Sequence, residues 1–295
     1  MSPTRVRLGT RASQLARVQA SLVAKALEGV GAAVEVVLVT TSGDLRANDT
    51  AWGEGAFVDA LEEALRRGSI DVAVHSAKDI PTDADGATDL VVAAYLPRGD
   101  ARDALVVRAD DLPTSIEAVP TAASVGTDSP RRTGFLLALR PDLRVRPLSG
   151  NVDTRLRRLD DGDVDALILA VAGLERLGRD DRVAVAFDPG LIPPAPGQGA
   201  LSMQVRAEDV STREVVGRLD DPEVREAVEA ERLVLTLLGG GCHAPIGAFA
   251  TVDAGRLTVV AGRVEPDGRE RRVGTWSGLA GAGASLAATV AGALA

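Results

Sequence analysis

Short apolar runs that read as strands alternate with stretches of helical periodicity, and this alternation restricts the possible folds more than any other feature of the chain. Val6-Arg7-Leu8 reads as a short strand, followed by a helix in which Leu15, Val18, Leu22 and Ala26 share one face before Gly29 and Gly31 stop it. Val34 to Thr40 is a second strand. From Phe57 to Arg67 the helical period returns through Phe57, Leu61 and Leu65, ends at Gly68, and gives way to the apolar run Ile70 to Val74. Strand, helix, strand, helix, strand in that order predicts an α/β sheet of mainly parallel strands, with ligands collecting outside the carboxyl ends of the strands.

After Pro97-Arg98-Gly99-Asp100 the pattern recurs. Ala104 to Val107 is a strand, Val125 precedes a helix from Pro130, Leu143 to Arg146 follows, and a helix from about Thr154 leads into the strand Ala166 to Val171. Pro193-Pro194-Ala195-Pro196-Gly197 is a stiff connector, and Ala200 to Val205 reads as a strand returning to the first sheet. From Pro222 the character changes: one helix, Cys242 in a glycine-rich turn, three alternating strands near 247–253, 256–265 and 270–276, and an Ala/Gly-rich helix to Ala295. The expected organisation is a domain from 1–95 with 197–217, a second from 99–192, and a small α+β domain from 220–295. The first two are α/β domains flanking a cleft.

Composition narrows the function classes. A chain of 295 residues, 45% apolar, is long enough for several buried cores. Its net charge of −9, with only 2% aromatic residues, argues against general nucleic-acid binding, which needs basic stripes or stacking platforms. The N-terminal segment carries no apolar signal region and no later stretch reads as a membrane span, so an unsecreted cytoplasmic protein is expected. The only cysteine cannot form an internal disulfide, and with His75 and His243 alone it makes a poor set of soft metal ligands, so no metal site is expected. Arginine, however, strongly outnumbers lysine, and several arginines fall at the edges of predicted elements. Local anion sites remain open on an acidic protein.

Six segments could carry chemistry. Thr10-Arg11-Ala12-Ser13 sits where a strand meets a helix, where a hydroxyl, a guanidinium and helix amides can converge on a carboxylate; it also reads as an N-cap beside a surface arginine. His75-Ser76-Ala77-Lys78-Asp79-Ile80-Pro81 follows an apolar strand and offers Asp79 as an acid or electrostatic stabiliser, with Lys78 beside it as a carboxylate ligand. Val125 to Arg132 places Ser129 as N-cap and Pro130 at the first helical position, with Arg131 and Arg132 opposing the helix dipole. A bound carboxylate or phosphate would account for that placement; solvated arginines tolerated at small cost are the alternative. Gly150-Asn151-Val152-Asp153-Thr154-Arg155 and Gly173-Leu174-Glu175-Arg176 put further arginines at such junctions, which together read as a polyanion-binding cleft. Gly239-Gly240-Gly241-Cys242-His243 gives the thiol little steric cover; Cys242 reads equally as an attachment point or as an inert small side chain. An acyl-transferring cysteine is a further reading, with no partnered base in sight.

Taken in order, Ser76 to Pro81, Val125 to Arg132, Gly150 to Arg155, Leu169 to Leu174, Pro196-Gly197-Gln198-Gly199-Ala200 and Gly240-Gly241-Cys242 resemble the motif set of the hydroxymethylbilane synthases, also called porphobilinogen deaminases, across almost the whole chain. The resemblance implies two domains like a periplasmic-type binding protein and a third carrying the cysteine. It implies a dipyrromethane cofactor held on Cys242 through a thioether. Four porphobilinogen units would be joined head to tail on it with release of ammonia, and the product hydrolysed off as hydroxymethylbilane for tetrapyrrole and haem biosynthesis. Matching positions are Lys78, Arg131, Arg132, Arg155, Ser129, Thr127, Ser76 and Ser13 for the cofactor, Arg11 and Arg176 for substrate, and Asp79 as the catalytic carboxylate. A monomer is expected. Two positions depart from the family pattern: Ser149 stands where an arginine precedes the Gly-Asn-Val motif, and Glu54 where a lysine is common in a flap over the site. Ser149 removes a charged fork, so a weakened or inactive anion-binding homologue is the alternative.

Overall fold

The computed structural model describes residues 4–39, 58–82, 89–108, 115–241 and 243–295; Glu54, Phe57 and Cys242 lie outside them. The described elements run β1 (Arg5–Thr10), α1 (Gln14–Gly29), β2 (Ala33–Leu38), α2 (Asp59–Arg66), β3 (Val72–Ser76) and β4 (Leu90–Tyr95). They continue with β5 (Asp103–Val107), β6 (Ser124–Gly126), α3 (Pro130–Leu139), β7 (Arg144–Arg146), α4 (Val152–Asp160), β8 (Ala166–Ala170), α5 (Val171–Arg176) and β9 (Val183–Ala186). β10 (Leu201–Arg206), α6 (Val210–Gly217), α7 (Pro222–Leu237), β11 (Ile246–Asp253), β12 (Arg256–Arg263), β13 (Arg272–Leu279) and α8 (Gly283–Leu294) complete them.

Two five-stranded sheets, ordered β2-β1-β3-β10-β4 and β7-β6-β8-β5-β9, are each mixed. One strand runs against the rest: β10 is antiparallel to β3 and β4, and β5 to β8 and β9. The returning strand expected near Ala200 to Val205 is therefore β10, at an interior position of the first sheet. Because β1 and β3 are parallel and β10 is reversed, their ends at Thr10, Ser76 and Leu201 share one edge. In the second sheet the same logic gathers Gly126, Ala170 and the start of β5 at Asp103. Helix α1 buries Ala20, Val23 and Leu27 against Val6, Leu8 and Val72, instead of the stripe Leu15, Val18, Leu22 and Ala26. Leu22 is 46% exposed and Leu15 lines the cleft instead. The sheet selects the face, since Ala20, Val23 and Leu27 also recur at helical spacing and lie over its apolar side chains.

The third sheet, β11-β12-β13, is antiparallel and packs Ala248, Val259 and Ala261 against α7 and α8. Helix α7 starts at Asp221, whose side chain accepts from Glu223 N and Val224 N ahead of a helix opened by Pro222. Several of its side chains reach out of this layer, Glu231 and Arg232 among them. Glu231, fully buried, takes Arg98 Nη1 at 2.6 Å and the amides of Gly197 and Ala250 at 2.6 Å each, so one carboxylate joins both segments crossing between the large sheets to β11. Arg232 donates to the carbonyls of Ile80 at 2.8 Å and Pro81 at 3.1 Å, on the loop after β3. The crossing segments also meet through backbone, Gly99 N donating to Gly199 O at 3.2 Å. Gly199 has φ +87°, and a Cβ there would lie 2.5 Å from Gly99 O, so no other residue fits.

Behind the shared edge, His75 on β3 is buried and its Nε2 meets Gln204 Oε1 at 3.0 Å. Gln204 spends its own amide on Glu62 at 2.9 Å, which makes the His75 nitrogen the donor. Burial pushes His75 down to about 4 from 6.5. On acidification the unfolded chain takes a proton on this residue first, so its contribution to stability is complete above pH 6.5 and is lost as pH falls toward 4. That loss is about 3 kcal/mol. Urea unfolding at pH 7 and pH 4 checks it: His75→Gln should lose less stability than the parent over this interval, and equal losses would contradict a neutral buried imidazole.

Candidate active site

The shared edges of the two large sheets face each other across a cavity of about 250 Å³. Each side chain reaches it through the chain's local geometry. Ser13 caps α1, accepting from Ala16 N at 3.3 Å, so the turn after β1 brings Arg11 and Ser13 to the wall. Ser76 ends β3, and the single 3₁₀ turn Ala77–Asp79 sets Lys78 and Asp79 beside it. From the opposite sheet come Arg132 in the first turn of α3, Arg155 in the first turn of α4, and Arg176 at the end of α5. A smaller cavity of about 50 Å³ shares Lys78 and is lined by Ser129, Arg131, Arg232 and, on either side of Cys242, Gly241 and Ala244.

The anion required by two arginines at a helix N-terminus is supplied within the fold. Asp103, fully buried, receives Arg131 Nη1 at 2.7 Å on one oxygen, and Arg132 Nη2 at 2.7 Å and Nε at 3.0 Å on the other. Further bonds go to carbonyls, Arg131 Nη1 donating to Pro193 O at 2.6 Å and Arg132 Nη1 to Ile168 O at 3.0 Å. Gln198 Nε2 adds a bond to Asp103 at 2.9 Å. Although burial alone would raise it, the two guanidiniums hold the Asp103 carboxyl far below the usual carboxylate range. Two cations against one anion leave this buried cluster a net positive charge, and Arg132 still presents an edge to the cavity.

The other cations are less compensated. Arg155 donates through Nε to Gly150 O at 2.8 Å, and burial followed by repulsion from Arg132 lowers its pKa to about 10. Arg176 donates to Gly199 O at 2.5 Å, and burial lowers its pKa also. Among the described residues neither meets a carboxylate within salt-bridge distance. Lys78 donates to Gln198 Oε1 at 3.1 Å, and burial, then Arg132, push it down to about 8. Among the described residues Asp79 is the one carboxylate on the cavity wall. A cavity holding five cations and one carboxylate, within a chain of net charge −9, focuses a positive field on its contents.

Comparison with known proteins shows the family to which a chain with this cavity belongs. The family model described as "Porphobilinogen deaminase, dipyromethane cofactor binding domain" matches residues 6–214, and "Porphobilinogen deaminase, C-terminal domain" matches 225–291. The porphobilinogen deaminase of Acidothermus cellulolyticus is 46% identical over 270 residues, covering 89% of this chain and 80% of its own. That of Mycobacterium leprae is 48% identical over 248 residues, covering 84% and 77%. The chain belongs to the porphobilinogen deaminase family. Among solved structures, the methionine-binding protein MetQ overlaps 73% of this chain and 89% of its own with a TM-score of 0.47 at 14% identity, a likeness on which nothing here rests.

The donor set fits the family's dipyrromethane. Such a group brings several carboxylates and pyrrole N–H donors; the walls offer the guanidiniums of Arg155 and Arg176, which donate to backbone carbonyls, and Asp79 as acceptor. Of the positions matched to the deaminases, Arg11, Ser13, Ser76, Lys78, Asp79, Arg132, Arg155 and Arg176 line one cavity. Ser129 and Arg131 line the adjoining one. Thr127 reaches neither wall: it is buried, and its Oγ1 accepts from Ser129 N at 3.2 Å, shaping the turn. Sequence reasoning missed Asp103, whose partners are 28 and 29 positions away, and assigned no task to Gln198, although the run Pro196 to Ala200 was noted.

Because Asp103 is the only carboxylate within salt-bridge distance of Arg131 and Arg132 among the described residues, removing its charge strands two buried guanidiniums. Asp103→Asn should cost about 3–5 kcal/mol of folding stability. Chemical denaturation is the check, and a loss under about 1 kcal/mol, typical of exposed pairs, would contradict the cluster's role.

Proposed function

We propose that this chain joins four porphobilinogen molecules head to tail and, with one water, releases hydroxymethylbilane and four molecules of ammonia, working as a cytoplasmic monomer. The observation that carries the reading is the five-cation cavity with its single carboxylate, built by a chain of this family. Residues 1–95 with 197–217, 99–192 and 220–295 are the proposed domains, the first two holding the cleft and the third the attachment point Cys242. Gly241 and Ala244, one and two positions from Cys242 in the sequence, line the small cavity, and Lys78 is common to both cavities, which supports a path from attachment point to cleft.

Dipyrromethane bound to Cys242 supplies the nucleophilic pyrrole carbon on which the first unit is built. The chain's residues do the rest. Arg11 and Arg176 hold the acetate and propionate of incoming porphobilinogen, while Lys78, Arg132 and Arg155, with Ser13, Ser76 and Ser129, hold the carboxylates already present. Each charge-assisted bond contributes about 1.5–3 kcal/mol where water is excluded. Asp79 accepts from the pyrrole N–H and stabilises the cation that develops as ammonia leaves the aminomethyl carbon. A fixed carboxylate in a sheltered cleft does this without reorganising. Ser149 leaves one fork fewer than the family pattern, and the cations lining the cavity carry the binding.

Kinetics with porphobilinogen test the reading. The parent should turn over, and Asp79→Asn should lower kcat by about 10²–10³-fold with little change in KM. Ser149→Arg separates the alternative: a silent parent that gains activity on this change would identify a decayed anion-binding homologue, and a parent already turning over eliminates it.

A further inference from the structure

We infer that Gln198 is a positioning residue that fixes the Lys78 side chain in the cleft and ties it to the buried Asp103 cluster of the opposite sheet. This deepens the deaminase reading, since Lys78 lies on the wall of the proposed carboxylate site. Gln198 is fully buried on the second segment crossing between the sheets. Its Nε2 donates to Ala101 O at 2.7 Å and to Asp103 Oδ1 at 2.9 Å. With both partners acceptors, the amide orientation is fixed and Oε1 must face the cations. It takes Lys78 Nζ at 3.1 Å and Arg132 Nη2 at 3.4 Å. One neutral side chain thus bridges the loop after β3 to the start of β5.

The charge around Lys78 makes this bridge consequential. Facing it are Arg131 and Arg132 from α3, Asp103 from β5, its neighbour Asp79, Arg232 from α7, and Arg11, Arg155 and Arg176 across the larger cavity. Cations outnumber carboxylates, and burial already lowers Lys78 to about 8. The Gln198 oxygen favours the charged ammonium. An apolar side chain there would leave the amine beside Arg132 with a partner fewer, so Lys78 would lose its proton at lower pH and with it the positive charge a carboxylate binds.

The chain has only two lysines, Lys25 on α1 and Lys78, against 31 arginines, so the titration can be followed directly. The holoenzyme labelled with ¹³C-lysine gives two Cε signals, assigned with Lys25→Arg. Lys78 should titrate near pH 8 in the parent, lower in Gln198→Met and higher in Gln198→Glu, which puts a carboxylate against the amine. The alkaline limb of kcat/KM should move in the same directions. A Lys78 midpoint unchanged in Gln198→Met and Gln198→Glu overturns the inference, as does a fall in stability without any shift. If Gln198→Met does not fold, the upward shift in Gln198→Glu decides. Titration is read without turnover, so an inactive parent would sink the deaminase reading and leave this result standing.

Discussion

The buried carboxylate of Asp103 is the interaction on which the cleft depends. It sits at the first residue of the reversed strand in the second sheet, and only that reversal brings it to the edge where α3 begins. Arg131 and Arg132 would otherwise face a helix N-terminus of their own sign in a dry interior. With Asp103 between them they become a fixed cationic block, one member turned to each cavity. Such a block needs no rearrangement when an anion arrives, which separates a preorganised site from a surface patch of arginines.

The same edge logic governs the rest of the site. β10 is the counterpart of β5: because it runs antiparallel inside the first sheet, the crossing segment before it arrives at the ligand edge carrying Gln198 and Gly199. Glu231 holds both crossing segments and Arg232 holds the loop after β3, so helix α7, which leads toward Cys242, is coupled to the walls of the cleft through two adjacent residues. The third layer thereby sets the loop after β3 that holds Lys78 and Asp79.

How much of this was legible depended on whether the determining contact was local. The alternation of strands and helices, the return of Ala200 to Val205 to the first sheet, and the junctions at Arg11, Lys78, Arg132, Arg155 and Arg176 follow from periodicity, caps and glycine stops, and the described elements run close to those positions. The reversed directions of β5 and β10 did not, because direction is set by the sheet and not by the strand. Helix α1 shows the limit within one element: two stripes fit its period, and packing on Val6 and Leu8 chose the one with Val23. The first-turn arginines pointed to a bound anion, with solvated arginines as the alternative; that the partner is a side chain 28 residues earlier could be seen only in three dimensions.

Intact-protein mass spectrometry tests most directly whether the cleft holds a growing polycarboxylate anchored at Cys242. The purified chain should carry the mass of two porphobilinogen units less two ammonia, gain further units stepwise on brief exposure to porphobilinogen, and do neither as Cys242→Ser. An unmodified parent that stays unmodified after incubation with porphobilinogen would contradict the account.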